Sequence, residues 1–169
     1  KGSHFSNRKW LPDLRCCLFY SPEADNLMAA LLLTTFQRLE EAEIHYCLLR
    51  DTDQIHRLDE LDEVDLLVDK QQCKQLYQLL AQLGFVALPS WGHGPHQFFT
   101  IYDEAGDRWL KLDVVTEVVF GYPYHTIVTN FAATCLARRQ WHSGVFVPSV
   151  ECEALTLLYH CIIDKKRFE

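Results

Sequence analysis

Two short segments of the chain have the apolar pattern of buried strands. Residues 61–69 read Leu-Asp-Glu-Val-Asp-Leu-Leu-Val-Asp, a run that is rich in aliphatic residues and too short for a helix. Residues 108–115 alternate, and alternate side chains of a strand project to opposite faces. One face then carries Trp109, Lys111, Asp113 and Val115, and the other carries Leu110, Leu112 and Val114. Both segments are therefore predicted to be strands.

Longer segments repeat apolar residues at helical spacing. Helices are predicted for residues 22–39, 70–83, 127–139 and 150–162. Further strands are predicted for residues 15–20, 44–49, 85–88, 96–102 and 144–147, with loops at 89–95 and 117–124 and a hairpin turn at 103–107. This order predicts an α/β fold with a mixed β-sheet and flanking helices. We expect the two acid-bearing strands to be adjacent and the helices to pack on one side of the sheet.

Length and composition predict a single domain. The 169 residues are 49% hydrophobic, which is enough for one core. We expect the domain to span residues 1–169, with residues 1–20 as a poorly defined lead-in. The chain ends within a helical pattern and without a C-cap, so we expect the polypeptide to continue beyond residue 169. A net charge of −7 argues against a broad nucleic-acid-binding face.

The cysteines and the apolar runs indicate the compartment. The seven cysteines lie mostly in apolar runs without a regular framework, so we interpret them as reduced thiols without disulfides. A zinc site that includes Cys16, Cys17 and distant histidines is a less favoured alternative. The longest apolar run, at residues 27–36, is too short to span a bilayer, and no signal peptide is visible. The sequence therefore predicts a cytoplasmic protein with no membrane span.

Three carboxylates on the two central strands are the candidate chemistry. Glu63 and Asp65 share a face of their strand, and two acids held side by side repel each other unless a cation lies between them. Asp113 is a third acid in an apolar strand, beside Lys111 on the same face. Carboxylates arranged in this way can hold hard divalent ions such as Mg²⁺ for phosphoryl transfer. A solvated strand end with surplus acid is the alternative for Glu63 and Asp65.

The order of these segments resembles a known superfamily. Tyr46-Cys-Leu-Leu-Arg50, then Glu63-Val-Asp-Leu-Leu-Val-Asp69 and Leu110-Lys-Leu-Asp-Val114 are similar to the DNA polymerase β-type nucleotidyltransferases. More narrowly, they resemble bacterial nucleotidyltransferase families of uncharacterised function that have an acid-x-Asp-Leu-Leu-Val strand. The resemblance covers residues 39–168.

The resemblance implies a fold, a reaction and roles for single residues. It implies a nucleotidyltransferase-like sheet and Mg²⁺- or Mn²⁺-dependent transfer of a nucleoside monophosphate from an NTP to a hydroxyl-bearing acceptor. Glu63 and Asp65 would ligate both metal ions, and Asp113 would ligate one and help to deprotonate the acceptor hydroxyl. Arg50, Lys111 or Lys165 would neutralise phosphate charge. A structural ion pair between Arg50 and the acidic loop that follows it is an equal alternative.

Two departures from the family pattern support a second hypothesis. Asp51 stands where the family usually has Gly, and Glu63 stands where Asp is commoner. The alternative is therefore a catalytically degenerate domain that acts as a binding or scaffolding module. A sugar-modifying or metal-hydrolase domain that uses the same acids is a third possibility. The sequence does not identify the acceptor, the NTP or the oligomeric state, although its negative charge makes a tRNA end the least favoured acceptor.

Overall fold

A computed structural model describes residues 22–50, 61–88, 95–104, 106–121 and 127–165. The helices are α1 Pro22–Glu41, α2 Cys73–Gln82, α3 Phe131–Ala137 and α4 Val150–Tyr159. A 3₁₀ turn, Lys70–Gln72, precedes α2, and a π-helix, His160–Lys165, continues α4. In the described part of the chain, none of these helices combines the length and the apolar character needed to cross a membrane.

The strands form one large sheet and two small hairpins. The strands of the large sheet are β1 Tyr46–Leu48, β2 Glu63–Val68, β3 Val86–Ala87, β4 His96–Asp103 and β5 Arg108–Val115. Their order is β1-β2-β5-β4-β3. The β2–β5 pair is parallel and the other three pairs are antiparallel, so the sheet is mixed, as predicted.

Helices α1 and α2 cover one face of this sheet. The core on this face includes Leu32, Phe36, Leu76 and Leu80 from the helices, together with Tyr46, Val64, Leu66, Leu110, Leu112 and Val114 from the strands. Leu110, Leu112 and Val114 are the residues that the alternating pattern of residues 108–115 assigned to a single face. Burial of these large side chains removes apolar area from water, at roughly 25 cal/mol per Å².

The opposite face of the sheet also carries helices, and the prediction that the helices pack on one side is therefore wrong. Cys135 of α3 and Cys152 of α4 belong to a second apolar cluster that includes residues of β1, β2 and β5 or of their ends. These residues are Cys47, Leu49, Leu67 and Val115. These strand positions are apolar, so they too must be shielded from water. Helices on one side of the sheet could not have buried the apolar residues of both faces.

The segment after β5 differs most from its prediction. Two short strands, β6 Val119–Phe120 and β7 Ile127–Val128, pair where a loop and the start of a helix were predicted. Helix α3 begins at Phe131 instead, and strands β8 Gln140–His142 and β9 Val145–Val147 form a hairpin. Its turn residues Ser143 and Gly144 both have positive φ, which suits a two-residue hairpin turn. The predicted strand at residues 15–20 lies outside the described residues.

Candidate active site

Three carboxylates meet on the face of the sheet that α3 and α4 cover. The parallel register sets Asp65 of β2 directly beside Asp113 of β5, with Glu63 two residues earlier on β2. One oxygen from each of the three lies within 4.8 Å of the others. The convergence expected from the sequence is present, because the alternation of both strands directs these side chains to the same face.

The carboxylate cluster suits a hard cation by its donor set. All three donors are oxygens, which Mg²⁺ and Mn²⁺ prefer and which bind such ions at about 2.0–2.6 Å. Separations of up to 4.8 Å between the oxygens are compatible with one ion that contacts all three. Burial increases from the exposed Glu63 through Asp65 to Asp113, which is 7% exposed. The residues present therefore fit the divalent cation that the sequence predicts.

Two basic side chains also contact this cluster. The Nε of Arg50 lies 2.7 Å from Oδ2 of Asp65, and the Nζ of Lys111 lies 2.7 Å from Oε1 of Glu63. Lys111 also lies over the ring of Phe98, at 5.0 Å from its centroid. The structure thus brings Arg50 and Lys111 to the carboxylates, and Arg50 forms an ion pair with the strand acid Asp65.

His96 is a site residue to which the sequence analysis gave no role. It begins β4, and its Nδ1 donates to Asp113, with distances of 2.9 Å to Oδ1 and 3.1 Å to Oδ2. In the antiparallel register Phe98 is the direct partner of Asp113, so His96 reaches the carboxylate diagonally along the same face. The predicted hairpin could have shown this proximity, since it already placed His96 near the end of the strand beside β5.

A second histidine comes from the π-helix that follows α4. The Nδ1 of His160 donates to Oδ2 of Asp164 at 3.0 Å, and its Nε2 lies 3.5 Å from Nη1 of Arg50. Oδ1 of Asp164 accepts a hydrogen bond of 2.7 Å from the backbone N–H of Gly121. The only sequence signal for this pair is its spacing of four residues, which is common on helices without any function. π-Helical turns occur frequently at functional sites.

Apart from Lys111, these residues line a cleft of about 460 Å³ between the sheet and the α4 segment. Its polar lining consists of Arg50, Glu63, Asp65, His96, Asp113, Glu117, Thr156, His160, Asp164 and Lys165. Its apolar lining includes Leu49, Phe98, Val115, Val118, Phe120 and Leu157. A mostly apolar cleft of this size with a few convergent polar groups is typical of small-molecule sites.

Lys165 and Glu117 lie at the edges of the cleft. Lys165, predicted to neutralise phosphate, lines the cleft from the end of the π-helix. Glu117 accepts a hydrogen bond of 2.8 Å from Nζ of Lys70, and this bond raises the pKa of the lysine.

Beneath the cleft, burial raises the pKa of the Cys47 thiol. Asp51, the residue that departs from the family pattern, lies outside the described residues.

Comparison with known proteins supports the fold. No protein-family model matches the chain, and no curated protein matches it. A crystal structure from Thermotoga maritima, described as that of a candidate nucleotidyltransferase, is similar to this chain with a TM-score of 0.54 at 12% sequence identity. The similarity covers 81% of this chain and 86% of that one. The predicted fold class is therefore confirmed: this is a mixed α/β domain with a nucleotidyltransferase-like fold.

Proposed function

We propose that the chain is a metal-dependent nucleotidyltransferase, which transfers a nucleoside monophosphate from an NTP to a hydroxyl-bearing acceptor. The observation that carries the proposal is the meeting of Glu63, Asp65 and Asp113 within 4.8 Å of one another in a nucleotidyltransferase-like fold. The cleft beside them has about 460 Å³ and combines these acids with apolar walls, which suits a nucleotide.

The proposed roles follow from the positions of the side chains. Glu63, Asp65 and Asp113 hold Mg²⁺ or Mn²⁺, which when bound supplies charge neutralisation and polarisation of phosphate oxygens. Arg50 and Lys111 lie close enough to the same cluster to contact phosphate oxygens, and Lys165 faces the cleft from the opposite wall. Asp113 accepts the proton of the acceptor hydroxyl, with its own position fixed by His96.

The test combines binding with turnover. Each NTP is titrated into the protein with Mg²⁺ or Mn²⁺ by calorimetry, and pyrophosphate release is then followed with sugar, antibiotic and protein acceptors. We expect one NTP to bind only when the divalent cation is present and to release pyrophosphate with one acceptor class. The Asp65→Asn variant is the control, since it keeps the shape of the side chain but removes a ligand charge. Absence of nucleotide binding in both proteins would exclude the transferase.

One observation favours the second candidate, a degenerate domain that serves as a binding or scaffolding module. Arg50 and Lys111 neutralise two of the three carboxylates with ion pairs of 2.7 Å. An opposite charge beside a carboxylate favours its ionised form, so these ion pairs offset the repulsion among the acids without any metal ion. The calorimetric titration separates the two candidates, because a degenerate domain would bind neither the cation nor the NTP.

A further inference from the structure

The ion pairs at the carboxylate cluster are built into the fold. Lys111 and Glu63 are direct partners in the parallel β2–β5 ladder, so their ion pair follows from the register of the sheet. The Nζ of Lys111 also lies over the ring of Phe98 on β4, at 5.0 Å from its centroid. Only 29% of the Lys111 side chain is exposed, unlike the 71% of Lys70. The lysine is therefore partly buried beside the carboxylate cluster.

Arg50 is held from two sides. Its Nε contacts Asp65 at 2.7 Å, and its Nη1 lies 3.5 Å from Nε2 of His160. His160 is itself fixed by Asp164, which accepts from a backbone N–H. When Arg50 leaves Asp65, the histidine can retain it beside the cleft. The guanidinium of Arg50 thus has a second partner, His160, beside the carboxylate cluster.

The charges determine what can replace these ion pairs. A divalent cation that approaches Glu63 and Asp65 is repelled by Lys111 and Arg50, and it also competes with them for the same oxygens. The two basic groups can move away at low cost only if other negative groups receive them. The phosphates of a nucleotide in the same cleft are such groups, and both side chains suit phosphate oxygens.

We propose that Arg50 and Lys111 are exchangeable counter-ions, which neutralise Asp65 and Glu63 in the empty cleft and transfer to the phosphates when a divalent cation takes the carboxylates. Metal and nucleotide therefore bind with positive coupling, and each strengthens the binding of the other by the same factor. This inference rests on the proposed function and specifies how the site avoids tight metal binding before a nucleotide arrives.

The test uses Mn²⁺ as the probe and measures binding without turnover. Free Mn²⁺ is followed by electron paramagnetic resonance, first with the protein alone and then with each of the four non-hydrolysable α,β-methylene NTPs. A titration of nucleotide without protein corrects for Mn²⁺ that the nucleotide binds in solution. Nucleotide affinity is measured in parallel by calorimetry in the absence of metal.

The decisive variant is Lys111→Met, which removes the charge and keeps an unbranched side chain against Phe98. We expect it to bind Mn²⁺ alone about 5–150-fold more tightly than the parent, to bind the nucleotide alone more weakly, and to lose most of the coupling. Arg50→Gln provides a second, independent variant with the same expected signs. If Lys111 and Arg50 only maintained the structure of the site, each variant would bind both Mn²⁺ and the nucleotide more weakly than the parent.

Arg38→Gln is the matched control for Arg50→Gln. It makes the same substitution and removes one ion pair of 2.8 Å, but its partner Glu41 on α1 lines no part of the cleft. We expect its Mn²⁺ affinity to equal that of the parent. If the parent binds Mn²⁺ and Lys111→Met and Arg50→Gln do not bind it more tightly, the exchange is overturned while the proposed function stands. If neither the parent nor any variant binds Mn²⁺ with or without nucleotide, both are overturned.

Discussion

The two faces of the large sheet come from alternate residues of the same strands, yet one face packs into the core and the other lines a cleft. On the α1–α2 face, Leu66, Leu112 and Val114 are fully buried in an apolar core. On the α3–α4 face, their neighbours Asp65 and Asp113 line an open cleft. The first face is closely packed because the residues that β2 and β5 bury in this core, Val64, Leu66, Val68, Leu110, Leu112 and Val114, are all aliphatic. The second face has a gap because charged groups resist burial unless they are paired.

This contrast shows how one strand can serve stability and chemistry at once. Leu112 and Asp113 are adjacent in β5, but their side chains contact different environments. Loss of an apolar contact on one face should therefore affect folding, and loss of a charge on the other should affect binding and turnover. Four predictions test this separation, in order of decreasing effect.

The first prediction concerns Asp113. Asp113→Asn should lower the rate of nucleotidyl transfer by roughly 10²–10⁴-fold, because the amide cannot accept the hydroxyl proton. The stability of the fold should change little, since the amide oxygen can still accept from Nδ1 of His96. Initial rates of pyrophosphate release and urea unfolding measure the two effects. A large loss of stability together with the loss of rate would show that residues of the cleft face also support the fold.

The second prediction concerns the adjacent residue on the other face. Leu112→Ala should lower the free energy of unfolding by about 2–5 kcal/mol, because it leaves a cavity in a fully buried core. The urea midpoint measures the change. Val86→Ala on β3 is the control, since Val86 is 60% exposed and its truncation should cost about 0.5 kcal/mol or less. Similar losses in the two variants would contradict the assignment of the core.

The third prediction treats His96 as a positioning residue that acts through Asp113. His96→Ala should reduce turnover by about 10–100-fold, as is usual when a partner of a ligand is removed. His96→Asn should restore part of the loss, because its amide N–H can donate to the same carboxylate. The loss should fall on kcat more than on KM. If alanine and asparagine behave alike, the hydrogen bond of 2.9 Å has no role in turnover.

The fourth and smallest effect concerns the thiols beneath the site face. Burial, aided by the neighbouring Cys152, raises the pKa of Cys135 from 9.0 to about 12. The folded state therefore keeps a proton that the unfolded state loses above pH 9. The stabilising contribution is complete below pH 9 and is lost as the pH rises towards about 12.

Thermal unfolding over this pH range measures the thiol effect. Between neutral pH and a pH of about 10, the midpoint of the parent should fall by about 2–4 °C more than that of Cys135→Ala, which has no thiol to titrate. Each protein is compared with its own midpoint at neutral pH, so the cavity of the variant cancels. Parallel curves for the two proteins would show that Cys135 does not contribute.

The pattern of apolar and polar residues within single segments predicted β2, β5 and the start of α4 well. Alternation in residues 108–115 predicted both the bounds of β5 and its two faces, because the side-chain period of a strand is a property of the backbone. The short aliphatic run predicted β2, and helical spacing predicted that the last helix begins at residue 150, as α4 does; the side chain of Ser149 caps it by accepting from the N–H of Cys152. These features depend only on residues close to one another in the chain.

The sequence by itself therefore determined the strands of the large sheet, the faces of β2 and β5 and the three acids, together with an expectation of divalent metal. Only the tertiary structure decided that β2 and β5 pair in parallel with Asp65 beside Asp113. It also decided that His96 and His160 join the site and that helices cover both faces. The physical reason is that register and packing are set between segments distant in the chain, while periodicity reports only which side of its own element a residue occupies.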